Sequence, residues 1–175
     1  MSLLDFKEKF NVIENGKTFK QNAVKKARAA AKKFNIISVA DDSGLCVDAL
    51  GGAPGIFSAR WSGVHGNDEA NLKKVLSEMK ELGNPTRSAR FRCAVALVIP
   101  ESHPSGAQEI VREGEMLGEL VHEPRGINGF GYDPIFQPLG FTQTSAELSS
   151  EAKDAISHRG HALHAILPEV TRLIA

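Results

Sequence analysis

Apolar residues recur along this chain with two different periods, and the switches between them mark its elements. Around residues 18–34 the spacing is helical: Phe19, Ala23, Val24, Ala27, Ala31 and Phe34 form one stripe, with Lys25, Lys32 and Lys33 mostly outside it. Thr18 and Gln21 give that helix a capping-box start. Residues 36–40 are a short, β-branched apolar run that predicts a buried strand, and 45–50 reads as a second strand. Another helix is predicted over 67–82, capped by Asn67, with Asp68 and Glu69 in its first turn, Gly83 at its stop, and Leu72, Val75, Leu76 and Met79 on its buried face. Residues 89–99 alternate at first and then become uniformly apolar, as in a strand moving from sheet edge to core. A polar turn at 100–108 leads to a return strand over 109–121, where Gly114 and Gly118 mark bulges or close backbone approach. Residues 145–174 read as helical, entered through Ser149-Ser150 and bent near Gly160 and Pro168. The first 16 residues carry no clear element beyond a short strand near 10–13.

Three stretches resist a reading by packing alone. Asp41-Asp42-Ser43-Gly44 places two adjacent carboxylates at the end of the 36–40 strand. They serve either as turn caps or as a site for a hard cation, and neighbouring strand residues point to opposite faces, so only one can enter a given site. Gly51-Gly52-Ala53-Pro54-Gly55 is a loop by composition. Residues 123–138 interleave Gly126, Gly129 and Gly131 with Phe130, Tyr132, Pro134 and Phe136. A loop so rich in glycine is costly to order, which suggests close backbone approach to something, and its aromatic rings suit either packing or base stacking.

Composition narrows the classes. The 175 residues hold 42% hydrophobic residues, enough for a core, and Lys plus Arg equals Asp plus Glu at 21 each. Zero net charge argues against a nucleic-acid binder, while leaving room for a small anionic ligand. Cys46 and Cys93 sit apart in apolar runs and read as buried, reduced thiols. The chain shows neither a signal peptide nor a membrane span, so no membrane partner is expected and the cytoplasm is the expected compartment. It carries no P-loop, dinucleotide fingerprint or nucleophile elbow. Lys153, His158 and Arg159 can border one cleft and meet phosphates or a polar base edge. His161 and His164, three apart, lack an accompanying carboxylate or cysteine and do not read as a metal site.

Four stretches stand in order: Asp41-Asp42-Ser43-Gly44, Leu50-Gly51-Gly52-Ala53-Pro54-Gly55, Gly129-Phe130-Gly131-Tyr132-Asp133-Pro134-Ile135-Phe136, and Ala155-Ile156-Ser157-His158-Arg159-Gly160. With Gly16-Lys17-Thr18-Phe19 and Asn22-Ala23, the chain resembles the inosine/xanthosine triphosphate pyrophosphatases, the Ham1-like family, over nearly its whole length. The resemblance implies an α/β fold with an elongated mixed β-sheet, two lobes and a nucleotide cleft between them. It also implies a homodimer, and Mg²⁺-dependent hydrolysis of ITP, dITP and XTP to monophosphate and pyrophosphate. Asp42 matches the catalytic and metal-binding position. Ser43, Phe130, Gly131, Tyr132, Asp133, Lys153, His158 and Arg159 match substrate contacts. Donors aimed at a 6-keto oxygen would leave adenine poorly paired, and His158 or Arg159 can supply them.

Two departures accompany the match. Family members open with a strand and a Ser/Thr-x-Asn-x-x-Lys loop that grips the triphosphate; relative to them the 1–175 domain is expected to be N-terminally shortened by roughly 30 residues, one strand–helix–strand unit. The position where the family often carries a second metal carboxylate is Ile13 here, with Glu14 beside it as the expected substitute, although on a strand its side chain would face the other way. The alternative expectation is therefore a catalytically weak nucleotide-binding or dimerisation module.

Overall fold

The computed structural model describes residues 10–83 and 85–174. Helix α1, Phe19–Phe34, begins where Thr18 accepts a hydrogen bond from the Gln21 backbone N–H at 3.1 Å, and the Gln21 side chain accepts from Lys17 N–H. It ends at Asn35, which takes the left-handed conformation at φ 54°. Its alanine-rich stripe lets it lie close on the sheet. Phe19, Ala23, Ala27 and Ala31 pack on Ala94, Ala96 and Val98.

Among the described residues the sheet has four strands in sequence order: β1 Ser38–Val47, β2 Ser88–Ile99, β3 Gln108–Leu120 and β4 Phe136–Pro138. Every pairing in it among the described residues is antiparallel, not mixed as the resemblance implies. The α/β class is as expected, and the long 89–99 and 109–121 hairpin forms within one residue of its predicted ends. Helix α2, Asp68–Glu81, is capped by Asn67 and buries Leu72, Val75 and Met79 as the periodicity predicted.

Four local expectations are corrected. Asp41-Asp42-Ser43-Gly44 is not a strand-end turn: β1 runs through it, each residue in register with β2 from Asp41↔Val95 to Gly44↔Arg92. A continuous ladder beside a long partner strand outweighs the turn preference of Asp and Gly. The expected 45–50 strand is therefore the second half of β1, closed by a 3₁₀ turn at Asp48–Leu50. Among the described residues, 10–16 form no strand. The C-terminal helix is two helices, α3 Ser150–Ile156 and α4 His158–Ile174. The break lies at Ser157, whose extended backbone (ψ 143°) ends α3 and whose hydroxyl accepts from Gly160 N–H at the start of α4.

Alternation along β1 and β2 sorts the core onto two faces. Helix α1 covers one. On the other, Cys93, Val95 and Leu97 meet Ala162 and Ile166 of α4, while Leu45, Val47 and Phe91 meet α2 together with Tyr132, Ile135 and Phe136. Gly114 permits the first of these contacts. A β-carbon there would lie within 3.0 Å of the His158 carbonyl oxygen, the Ala162 nitrogen and the His161 side chain. Gly114 and Gly118 thus mark close approach without a bulge, since the β2–β3 register is unbroken.

Candidate functional site

Between these two packing groups lies a cleft of about 480 Å³. Its lining brings together residues from β1, the 129–133 loop, α3 and α4: Ser43, Phe130, Gly131, Tyr132, Asp133, Lys153, His158 and Arg159 all border it. Asp42 and Glu14 do not, and they meet elsewhere.

The loop is fixed by three ties. Asp133 is buried, at 3% exposure; its carboxylate accepts from Phe130 N–H at 2.8 Å and pairs with the Lys153 ammonium at 2.6 Å. Gly131 N–H donates to the Asp68 carboxylate at 2.8 Å, and Gly131 needs its positive φ of 63° to do so. The Tyr132 hydroxyl donates to the Ser58 carbonyl at 2.8 Å, and burial pushes that phenol above its usual range. Tyr132 is thus a wall of the cleft rather than a stacking surface. Phe130 is the open ring: it is 64% exposed, with Lys153 Nζ 5.1 Å from its centroid.

His158 opens α4 and stacks on Phe91, with centroids 4.9 Å apart and planes 12° from parallel. Burial first, then the nearby Arg159 and Lys153 cations, lower its pKa to about 4, so the ring is neutral at pH 7. Its buried Nδ1 has no hydrogen-bond partner among the described residues. Arg159 is held against β1, with Nε donating to Asp41 at 3.0 Å and Nη2 to the Ser43 hydroxyl at 3.1 Å. The buried Cys93 thiol, 3.9 Å from the same Asp41 oxygen, is pushed up to about 12 by burial and then by that carboxylate.

Asp42 points to the opposite face of β1, under α1. Asn22 Nδ2 and Lys26 Nζ each donate to it at 3.0 Å. Burial raises its pKa, against the pull of Lys26. The Lys26 ammonium also lies 3.3 Å from the Glu14 carboxylate. Two hard oxygen donors therefore converge on one cation position. That set fits Mg²⁺, which uses one or two carboxylates and leaves its other positions to water and phosphate. Among the described residues no group of three or more His, Cys, Asp or Glu side chains gathers into a fuller cage. The segment that carries Glu14 is not a strand, so no pleat dictates which way its side chain faces.

Sequence reasoning missed Lys26, Asp68 and Ser58. Asn22 and Lys26 are four apart on α1, which puts both on the helix face toward Asp42, and that spacing was the available signal. Asp68 and Ser58 lie 63 and 74 residues from their partners, and no local pattern announces such contacts.

Comparison with known proteins gives concordant matches. A profile of the Ham1 family matches residues 1–169. The dITP/XTP pyrophosphatase of Streptomyces avermitilis is 53% identical over 164 residues, covering 94% of this chain and 80% of that protein. The dITP/XTP pyrophosphatase of Mycobacteroides abscessus is 48% identical over 174 residues, covering 99% of this chain and 82% of that one. The structure of a HAM1 protein from Coxiella burnetii aligns with a TM-score of 0.85 at 41% identity, over 97% of this chain and 89% of that one.

Proposed function

The chain belongs to the Ham1 family, and from that premise we propose that it hydrolyses the deaminated purine nucleoside triphosphates ITP, dITP and XTP to monophosphate and pyrophosphate. One observation carries the reading. Motifs scattered over more than a hundred residues converge on a single cleft, while the carboxylates suited to a metal sit just across β1 from it.

In this reading the base enters the cleft and stacks on Phe130, a contact that tolerates any base. Neutral His158 and the tethered Arg159 read its 6-keto edge. Adenine offers an amino group there and leaves the donors unpaired, which is how a polar site rejects an analogue. Lys153, already balanced by Asp133, lines the same cleft as a phosphate-facing cation. The phosphate chain passes round β1 toward Asp42. Asp42 and Glu14 would hold Mg²⁺, which when bound neutralises phosphate charge. Water attacks the α-phosphorus and the bond to pyrophosphate breaks. The water's proton passes to the Asp42 carboxylate, whose raised pKa suits a base. The enzyme works as one domain spanning 1–175, as a homodimer, in the cytoplasm, without a nucleic-acid or membrane partner. No helix among the described residues is long and apolar enough to cross a membrane.

The alternative, a catalytically weak binding module, is not favoured by relatives described as pyrophosphatases. Pyrophosphate release measured over ITP, XTP, dITP, ATP and GTP separates the two. Selective, Mg²⁺-dependent turnover that Asp42→Asn abolishes without unfolding the protein is expected. Equal or faster turnover of ATP and GTP would refute the specificity, and calorimetric binding of ITP without turnover would favour the module.

A further inference from the structure

We propose that Asp41 is a positioning residue for base selection: its carboxylate holds the Arg159 guanidinium at the edge of the cleft and plays no part at the Asp42 site. The adjacency of Asp41 and Asp42 suggests one pair with one role. The pleat of β1 divides them instead. Asp42 is in register with Ala94 on the α1 face, and Asp41 with Val95 on the α4 face. Their partners do not overlap: Asp42 has Asn22 and Lys26, and Asp41 has Arg159 and the Cys93 thiol.

The tether is two-pointed. Asp41 fixes Nε and Ser43, two residues on and on the same face of β1, fixes Nη2, so the planar guanidinium cannot swing about either bond alone. Nη1 has no partner among the described residues and remains for a ligand. An arginine borders this cleft with 41% of its side chain exposed. Without the tether such a long side chain samples many rotamers, and ordering it would oppose binding of the correct base. Preorganisation by a carboxylate outside the cleft lets Arg159 discriminate without that cost.

The inference rests on Arg159 reading the base, and the experiment separates the two. The kcat/KM values for ITP, XTP, ATP and GTP, with melting temperatures, are measured for the whole chain and for Arg159→Ala, Asp41→Ala, Asp41→Leu, Asp41→Asn and the Arg159→Ala/Asp41→Ala double variant. Arg159→Ala is expected to lower the ITP-to-ATP ratio. Asp41→Ala and Asp41→Leu are expected to lower it by roughly tenfold, the scale of one charge-assisted hydrogen bond. Asp41→Asn keeps an acceptor and restores most of the ratio where Asp41→Leu, of similar size, does not; a packing role would be served by either. The double variant falls no further than Arg159→Ala. If Asp41→Ala does not fold, Asp41→Leu, nearly isosteric and suited to a strand, carries the comparison. A ratio lost in Arg159→Ala but kept in Asp41→Leu overturns the proposal and spares the site. A ratio kept in Arg159→Ala overturns the base-reading role and this proposal with it.

Discussion

Gly114→Ala tests whether base selection depends on how α4 sits on the sheet. The added methyl has nowhere to go. It would lie within 3.0 Å of the His158 carbonyl oxygen and the Ala162 nitrogen, and both are backbone atoms that no rotamer change can move. The first turns of α4 must therefore lift from β3. Overpacking of this kind costs about 1–3 kcal/mol. In a chain of this size each kcal/mol lowers Tm by roughly 2–4 °C, so the loss should be about 2–12 °C. The same lift carries His158 and Arg159 away from Phe91 and Ser43, contacts now at 4.9 and 3.1 Å. Scanning calorimetry and the ITP-to-ATP ratio of kcat/KM should both fall. Gly118→Ala supplies the control. Its methyl meets Gln137 and the Phe136 ring of β4, so it should lower Tm comparably and the ratio much less. An unchanged Tm in Gly114→Ala, or an equal loss of ratio in both variants, would refute the reasoning.

Other expectations follow from groups already placed. His158 titrates near pH 4 when folded and near 6.5 when unfolded, so the unfolded chain takes up its proton first; stability present above pH 6.5 is lost as pH falls toward 4, by up to about 3 kcal/mol. Denaturant titrations of His158→Leu should show that acid slope flattened relative to the parent chain. Lys153→Ala leaves the buried Asp133 carboxylate with only the Phe130 N–H among the described residues, and should destabilise by about 3–5 kcal/mol; Lys153→Ala/Asp133→Asn should recover part of the lost Tm. Lys26→Met removes the cation shared by Asp42 and Glu14, so added Mg²⁺ should raise the variant's melting temperature more than the parent's, and no difference would argue against these carboxylates as the metal pair.

What the chain determined by itself was local. The α1 stripe, the α2 face and the β2–β3 hairpin were legible because their periodicities are long and unmixed, and the Phe130 loop and Ser157-His158-Arg159 stood out because their residues are costly to keep for packing alone. The family resemblance was legible for the same reason, through several short motifs in a fixed order. The Asp41–Gly44 turn was misread because turn preference is a property of four residues, whereas the ladder that straightens them belongs to β2, some fifty residues away. Sequence likewise could not find Asp68 and Ser58, whose partners lie far along the chain. Only the tertiary structure decided which partners each carboxylate meets. Adjacent in sequence, Asp41 and Asp42 differ by one step of the pleat, and that step places one beside Arg159 at the edge of the cleft and the other beside Lys26 and Glu14.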